Sequence, residues 1–102
     1  MNLRQQWIEA LESGKYEQGI FFLKNRGQYC CLGVLCEVAG LKGQEKEGIT
    51  HYEGDSRTIS IELCRSVGLR AGQQIDLASL NDCGANFKYI AQWLRDHDTK
   101  PD

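Results

Sequence analysis

The sequence predicts a small α+β domain, about four helices packed on one or two short β-hairpins, and three observations carry that prediction. Apolar residues recur at helical spacing in separate stretches, short apolar runs flank clusters of turn residues, and the length allows a single core. The chain has 102 residues, 41% hydrophobic and 25% charged, which suits one globular domain over 1–102. With one Pro, 11 Gly and 9% aromatic residues it lies outside the disordered class.

Residues 3–12 set Leu3, Trp7, Ile8 and Leu11 on one helical face and Arg4, Gln5, Gln6, Glu9 and Glu12 on the other, with a stop near Ser13-Gly14. The run from Gly19 to Lys24 is short, apolar and aromatic, and Asn25-Arg26-Gly27 supplies a turn before Gln28-Tyr29-Cys30, which reads as a β-hairpin. From Cys31 the apolar positions Cys31, Val34, Leu35 and Val38 give a second helix. Gly40-Leu41 ends it as a Schellman motif, with Gly40 left-handed and Leu41 folded back on the last turn. Cys64 to Leu69 echoes Cys36 to Leu41, which two similar helix caps explain without a duplication.

Lys42 to Gly48 reads as a charged loop, and Ile49 to Glu53 with Arg57 to Ile59 as strands around Gly54-Asp55-Ser56. Ser60 is placed to cap a helix running to Val67, and Asp76 to cap a short helical turn from Leu77 to Leu80. Asn81-Asp82-Cys83-Gly84 reads as a break, after which Asn86 caps a final helix with Phe87, Ile90, Ala91 and Leu94 inside. The tail over 98–102 is polar and expected to fray. Trp7, Phe21, Leu35, Leu63, Leu80, Phe87, Ile90 and Leu94 are the expected core.

Lys plus Arg number 12 and Asp plus Glu 14, a net charge of -2 that provides no overall pull toward a phosphate backbone and argues against nucleic acid as partner. No apolar run has the length of a membrane span, and Met1 to Trp7 lacks the layout of a signal peptide, so a cytoplasmic protein is expected. Five cysteines at irregular spacing suit reduced thiols better than a disulfide frame.

The candidate chemistries thin out quickly. Adjacent Cys30 and Cys31 lack the paired spacing of structural zinc ligands, and Cys31 falls on an apolar helix face. A Cys–His hydrolase would need a thiolate beside His51 or His97, and no nucleophile motif surrounds Cys30 or Cys31. Neither glycine-rich phosphate loop is present. The block from Leu80 to Ala91 looks like the first half of a helix-turn-helix whose second half is missing. No catalytic residue, metal site or cofactor is therefore expected. What remains is a basic and aromatic cluster, Lys15, Tyr16, Lys24, Arg26 and Tyr29, gathered by the hairpin and suited to stack and neutralise a small anionic ligand. Asn81 and Asp82, at a break between helices, are candidate polar lining or an Asx turn.

Three segments carry a resemblance: Trp7-x-x-Ala10-Leu11-x-Ser13-Gly14-x-Tyr16-x-Gln18-Gly19, Tyr29-Cys30-Cys31-Leu32-Gly33-Val34-Leu35-Cys36, and Leu77-x-x-Leu80-Asn81-Asp82-x-Gly84-x-x-Phe87-x-x-Ile90-Ala91. Together they resemble a family of small, largely uncharacterised proteins of tailed bacteriophages and prophages, over nearly the whole chain. The family often has Ser where this chain has Asn86, and both residues cap helices. The resemblance implies a phage accessory protein in the bacterial host's cytoplasm. Its expected role is to counter host defence by sequestering a small nucleotide-type signal at Lys15, Tyr16, Lys24, Arg26, Tyr29, Asn81 and Asp82. The alternatives are a protein–protein inhibitor, or an oligomer, whose exposed aromatics such as Trp93 dock a host factor, and behind them a DNA-binding regulator.

Overall fold

A computed structural model of the chain describes residues 2–70 and 72–97. Among these residues, five helices and a mixed five-stranded sheet form one α+β domain, as the sequence predicts. The expected fraying of 98–102 lies outside the described residues.

Helix α1 (Leu3–Glu12) starts where the Asn2 side chain accepts the Gln5 N–H, and it buries Trp7, Ile8 and Leu11 against α2 (Cys31–Val38) and α5 (Phe87–Asp96). The Trp7 indole is fully buried and donates to the Cys31 carbonyl at 2.9 Å, so its polar atom is satisfied inside the core. Helix α2 is buried at every position from Cys31 to Cys36, because it packs on α1, α4 (Gln73–Asp82) and the sheet at once. At Gly33 a Cβ would fall 1.7 Å from the Leu23 carbonyl oxygen, so only glycine lets the helix approach that backbone. Helix α5 buries Phe87, Ile90, Ala91 and Leu94, the stripe its spacing predicts.

The helix ends follow the local signals. Gly40 N–H donates to Glu37 and Leu41 N–H to Cys36, while Gly68 donates to Arg65 and Leu69 to Cys64, so both expected Schellman motifs close. A third closes α4, where Gly84 donates to Asn81 and Ala85 to Leu80. Ser60 accepts from Leu63 at the start of α3 (Ile61–Ser66), and Asn86 from Tyr89 at the start of α5. The Arg4 guanidinium donates to the carbonyls of Val67, Leu94 and His97, joining the ends of α3 and α5.

The strands are β1 (Glu17–Gln18), β2 (Lys24–Asn25), β3 (Gln28–Tyr29), β4 (Gly43–Lys46) and β5 (Ile49–Tyr52), in the order β1-β3-β2-β5-β4. β1 runs parallel to β3 and the other pairings are antiparallel. Arg26-Gly27 and Glu47-Gly48 join two hairpins with positive φ at all four residues, the pattern of type I′ turns. Arg26 N–H donates to the Gly48 carbonyl at 2.8 Å, which sets the two turns side by side.

Several expectations need correction. Lys42 to Gly48 is not a loop: Gly43–Lys46 is the edge strand β4, exposed at each of its four residues, so it shows no burial alternation. Arg57 to Ile59 is not a strand; one isolated bridge, Tyr52 to Asp55, closes the turn before it. The first hairpin is shorter than expected, since of the Gly19–Lys24 run only Lys24 pairs in a strand, together with Asn25 from the expected turn. Asp76 does not cap α4; it lies in the first turn of a helix that begins at Gln73. Asn81 and Asp82 are the last residues of α4, and the break falls at Cys83-Gly84. Phe21 is exposed and Leu80 half-buried, so neither is core, whereas Leu23 is fully buried. The block read as half of a helix-turn-helix spans a helix pair, α4 and α5, joined at Gly84.

Candidate functional site

The first hairpin gathers three of the expected binding residues. Tyr29 on β3 lies opposite Lys24 on β2, and the Lys24 ammonium stands 5.2 Å from the centre of the Tyr29 ring. Tyr16 meets the same ring edge-on, with centres 5.1 Å apart and planes at 87°. Lys24 is held above its ordinary pKa, first by its polar contact with Tyr29 and then by the charges of Tyr29, Glu37 and Glu45, against a smaller opposing effect of burial. Burial pushes the Tyr16 phenol up, and Glu37 and Tyr29 add to it. Glu37 also accepts the Tyr52 hydroxyl at 2.7 Å. This carboxylate was missed in the sequence reading, although a lone acid in an otherwise apolar helix was its signal.

Lys15 and Tyr16 wall an open groove of about 310 Å³ together with Gln6, Glu9, Ala10 and Ser13. Arg26 is exposed on the neighbouring turn, where its side chain lies against Gly48; a Cβ there would come 2.9 Å from the Arg26 Cγ. Lys15, Tyr16, Lys24 and Tyr29 thus follow one another across a surface, and Arg26 sits on the turn that joins the last two.

Asn81 and Asp82 do something else. Asn81 is 1% exposed, its Oδ1 accepts from Gln18 Nε2 at 2.9 Å and from Cys31 N–H at 3.1 Å, and its Nδ2 donates to the Gly19 carbonyl at 2.8 Å. Its amide is engaged inside the fold, where Gln18 also bonds the Ala85 carbonyl at 2.7 Å. Asp82 accepts the Phe21 N–H at 2.9 Å. The expected polar lining is therefore a scaffold that ties α4 to the start of α2 and to the Gly19–Phe21 segment.

That segment holds the residue the sequence reading misplaced. Phe21 takes φ 68° and is 51% exposed, beside Ile20 at 49%. A bulky residue in this left-handed region costs on the order of 1–3 kcal/mol. The available signal was that Ile20, Phe21 and Phe22 in succession cannot all face one side of a strand.

The thiols are graded by depth. Burial pushes Cys30 up to about 11 and Cys36 up to about 12, and carries Cys31 well above its ordinary value. Cys83 is exposed and lies in an open groove of about 450 Å³ with Leu80, Trp93 and His97. Trp93 is not the exposed anchor expected: it is half-buried, packed on the core, and stacked on His97 at 3.9 Å. Among the described residues no three His, Cys, Asp or Glu side chains stand together as metal ligands, and no helix is long and apolar enough to cross a membrane.

A small α+β domain with its central helix packed against two helices and a narrow mixed sheet is the class that these elements define. The chain belongs to the family described as Domain of unknown function (DUF8296), which matches residues 1–56, from α1 to just beyond β5. The α4–α5 block that carries Asn81 and Asp82 lies outside the matched part. No curated protein and no solved structure matches the chain.

Proposed function

We propose that this protein works by binding rather than catalysis, holding a small anionic, base-containing ligand of host origin against Lys15, Tyr16, Lys24, Arg26 and Tyr29. The contacts that Tyr16 and Lys24 both make with one residue, Tyr29, carry this reading. Phenol rings offer faces on which a base can stack, and Lys24 with Arg26 offers donors for a phosphate. The buried thiols support the non-catalytic half, because a thiol whose pKa lies near 11 or 12 is protonated at neutral pH and a poor nucleophile. The resemblance to phage-borne proteins supports a ligand drawn from the bacterial host, with sequestration of a nucleotide-type defence signal in its cytoplasm as the biological role.

Calorimetry with a panel of mononucleotides and cyclic dinucleotides tests the reading on the wild type and on the double variant Arg26→Asn/Tyr29→Leu. Asn tolerates the positive φ of position 26, so the turn is kept. One nucleotide class should bind the wild type, and the double variant should bind it at least about tenfold more weakly, as expected for losing a stacking and a charged contact. Unchanged affinity in the variant removes this surface, and no binding across the panel removes the nucleotide.

A further inference from the structure

The sheet face that carries the ligand surface also meets an acid. Tyr29 lies opposite Lys24 and Lys24 opposite Thr50, so these side chains share one face across β3, β2 and β5. Tyr52, two positions beyond Thr50, points the same way, and its hydroxyl donates to Oε2 of Glu37 in the last turn of α2. That bond fixes the Glu37 carboxylate over the face of Lys24 and Tyr29, and its charge reaches both Lys24 and Tyr16.

Part of this carboxylate is unused. Glu37 is half-buried, and among the described residues its Oε1 makes no hydrogen bond, while no buried side-chain oxygen there lacks a partner. Oε1 is therefore open to solvent. An ionised carboxylate only accepts hydrogen bonds and repels a phosphate set beside it. Glu45, opposite Thr50 on β4, adds to that repulsion near Lys24. Charge alone therefore orients a nucleotide here with its phosphate toward the exposed Lys15 and Arg26 and its base toward Glu37.

The bases differ in what they offer an acceptor. Guanine carries two adjacent donors, N1–H and the N2 amino group, which match the two oxygens of one carboxylate, with the O6 acceptor beside them. Adenine presents an acceptor at N1, which a carboxylate repels. We infer, on the premise that this surface holds a nucleotide, that its base is guanine and that Glu37 is the residue that selects it. N1–H and the N2 amino group donate to Glu37, whose Oε2 keeps a lone pair beyond the Tyr52 bond. O6 accepts from Lys24, whose ammonium has three donors to share between the base and the phosphate. The ring of the base lies against the Tyr16 and Tyr29 phenols, which already meet at 5.1 Å.

Calorimetry on the full-length chain compares guanosine with adenosine monophosphate, and cyclic di-GMP with cyclic di-AMP. In whichever pair binds, the wild type should hold the guanine member at least about tenfold more tightly, because the adenine member leaves the carboxylate without its donors. Glu37→Gln keeps an acceptor for the Tyr52 hydroxyl and exchanges one carboxylate oxygen for a donor, the pattern that suits the N1 and N6 edge of adenine. It should lose at least about tenfold in guanine affinity and abolish the preference for guanine. A merely structural role for Glu37 would lower both affinities alike. Equal affinity of the wild type for the two bases, or an unchanged ratio between them in Glu37→Gln, overturns the inference and leaves the nucleotide site standing. No binding in either pair overturns the site and the inference together.

Discussion

The side-chain oxygen of Asn81 accepts the backbone N–H of Cys31 at 3.1 Å, across fifty positions of the chain and within the core. Cys30, the N-cap of α2, makes no side-chain cap bond, and α4 satisfies from outside the first of the N–H groups that the start of the helix leaves without an intrahelical partner. Replacing Asn81 with Ala orphans this N–H, the Gly19 carbonyl and one bond of Gln18 together. The expected loss is about 3 kcal/mol of unfolding free energy, read from urea midpoints. A loss below about 1 kcal/mol would show that water takes over the amide's role.

Two glycines separate close approach from backbone conformation. Gly33→Ala drives a Cβ to 1.7 Å from the Leu23 carbonyl oxygen, and α2 or the Leu23 segment must move. Gly40→Ala meets open space and only keeps φ 79°, at a cost of roughly 1–2 kcal/mol. The Gly33 variant should be the less stable of the two by guanidinium melts. Equal midpoints would mean that the helix slides away from the sheet at little cost.

Asp55 gives the fold an acid-sensitive corner. The Thr58 hydroxyl first, then the N–H groups of Arg57 and Thr58, hold its carboxyl below its ordinary range. A depressed folded pKa contributes stability that is present above the unfolded value, about 3.9, and is lost as pH falls through the folded one. Asp55→Asn should therefore flatten the fall in stability below about pH 4 relative to the wild type. The effect is small because the group is exposed to solvent. Parallel acid curves for the two proteins would remove Asp55 from the account.

Thiol labelling should follow depth. In native protein at neutral pH a maleimide should reach Cys83 first and the half-buried Cys64 next, with Cys30, Cys31 and Cys36 labelled only on unfolding. Peptide mass spectrometry gives the order directly. Early labelling of Cys30 or Cys36 would show that the start of α2 opens locally.

Helices and caps were legible in the chain because they depend on residues a few positions apart. The Leu3–Trp7–Ile8–Leu11 stripe, the Ser60 and Asn86 caps, and the Gly40-Leu41 and Gly68-Leu69 endings all stand where local spacing puts them. The cluster of Tyr16, Lys24 and Tyr29 was legible for the same reason, since a short turn brings its two strand residues face to face. The strands at the sheet edges were not. Gly43–Lys46 is exposed on every side chain and β1 is two residues long, so neither carries a burial pattern. Glu47-Gly48 turns the second hairpin without the Asn-Gly or Asp-Gly signal that marks such turns.

Asn81 and Phe21 mark the boundary most clearly. Local chemistry could say that Asn81 lies near a helix end and that Phe21 belongs to an apolar run. Nothing near either in sequence reveals that a N–H fifty positions away lacks a partner, or that Asp82 will hold Phe21 in a strained turn with its ring outward. Periodicity and capping are properties of neighbouring residues, whereas the satisfaction of a buried donor and the direction of a clamped side chain depend on which distant backbone the packed core brings within 3 Å or so.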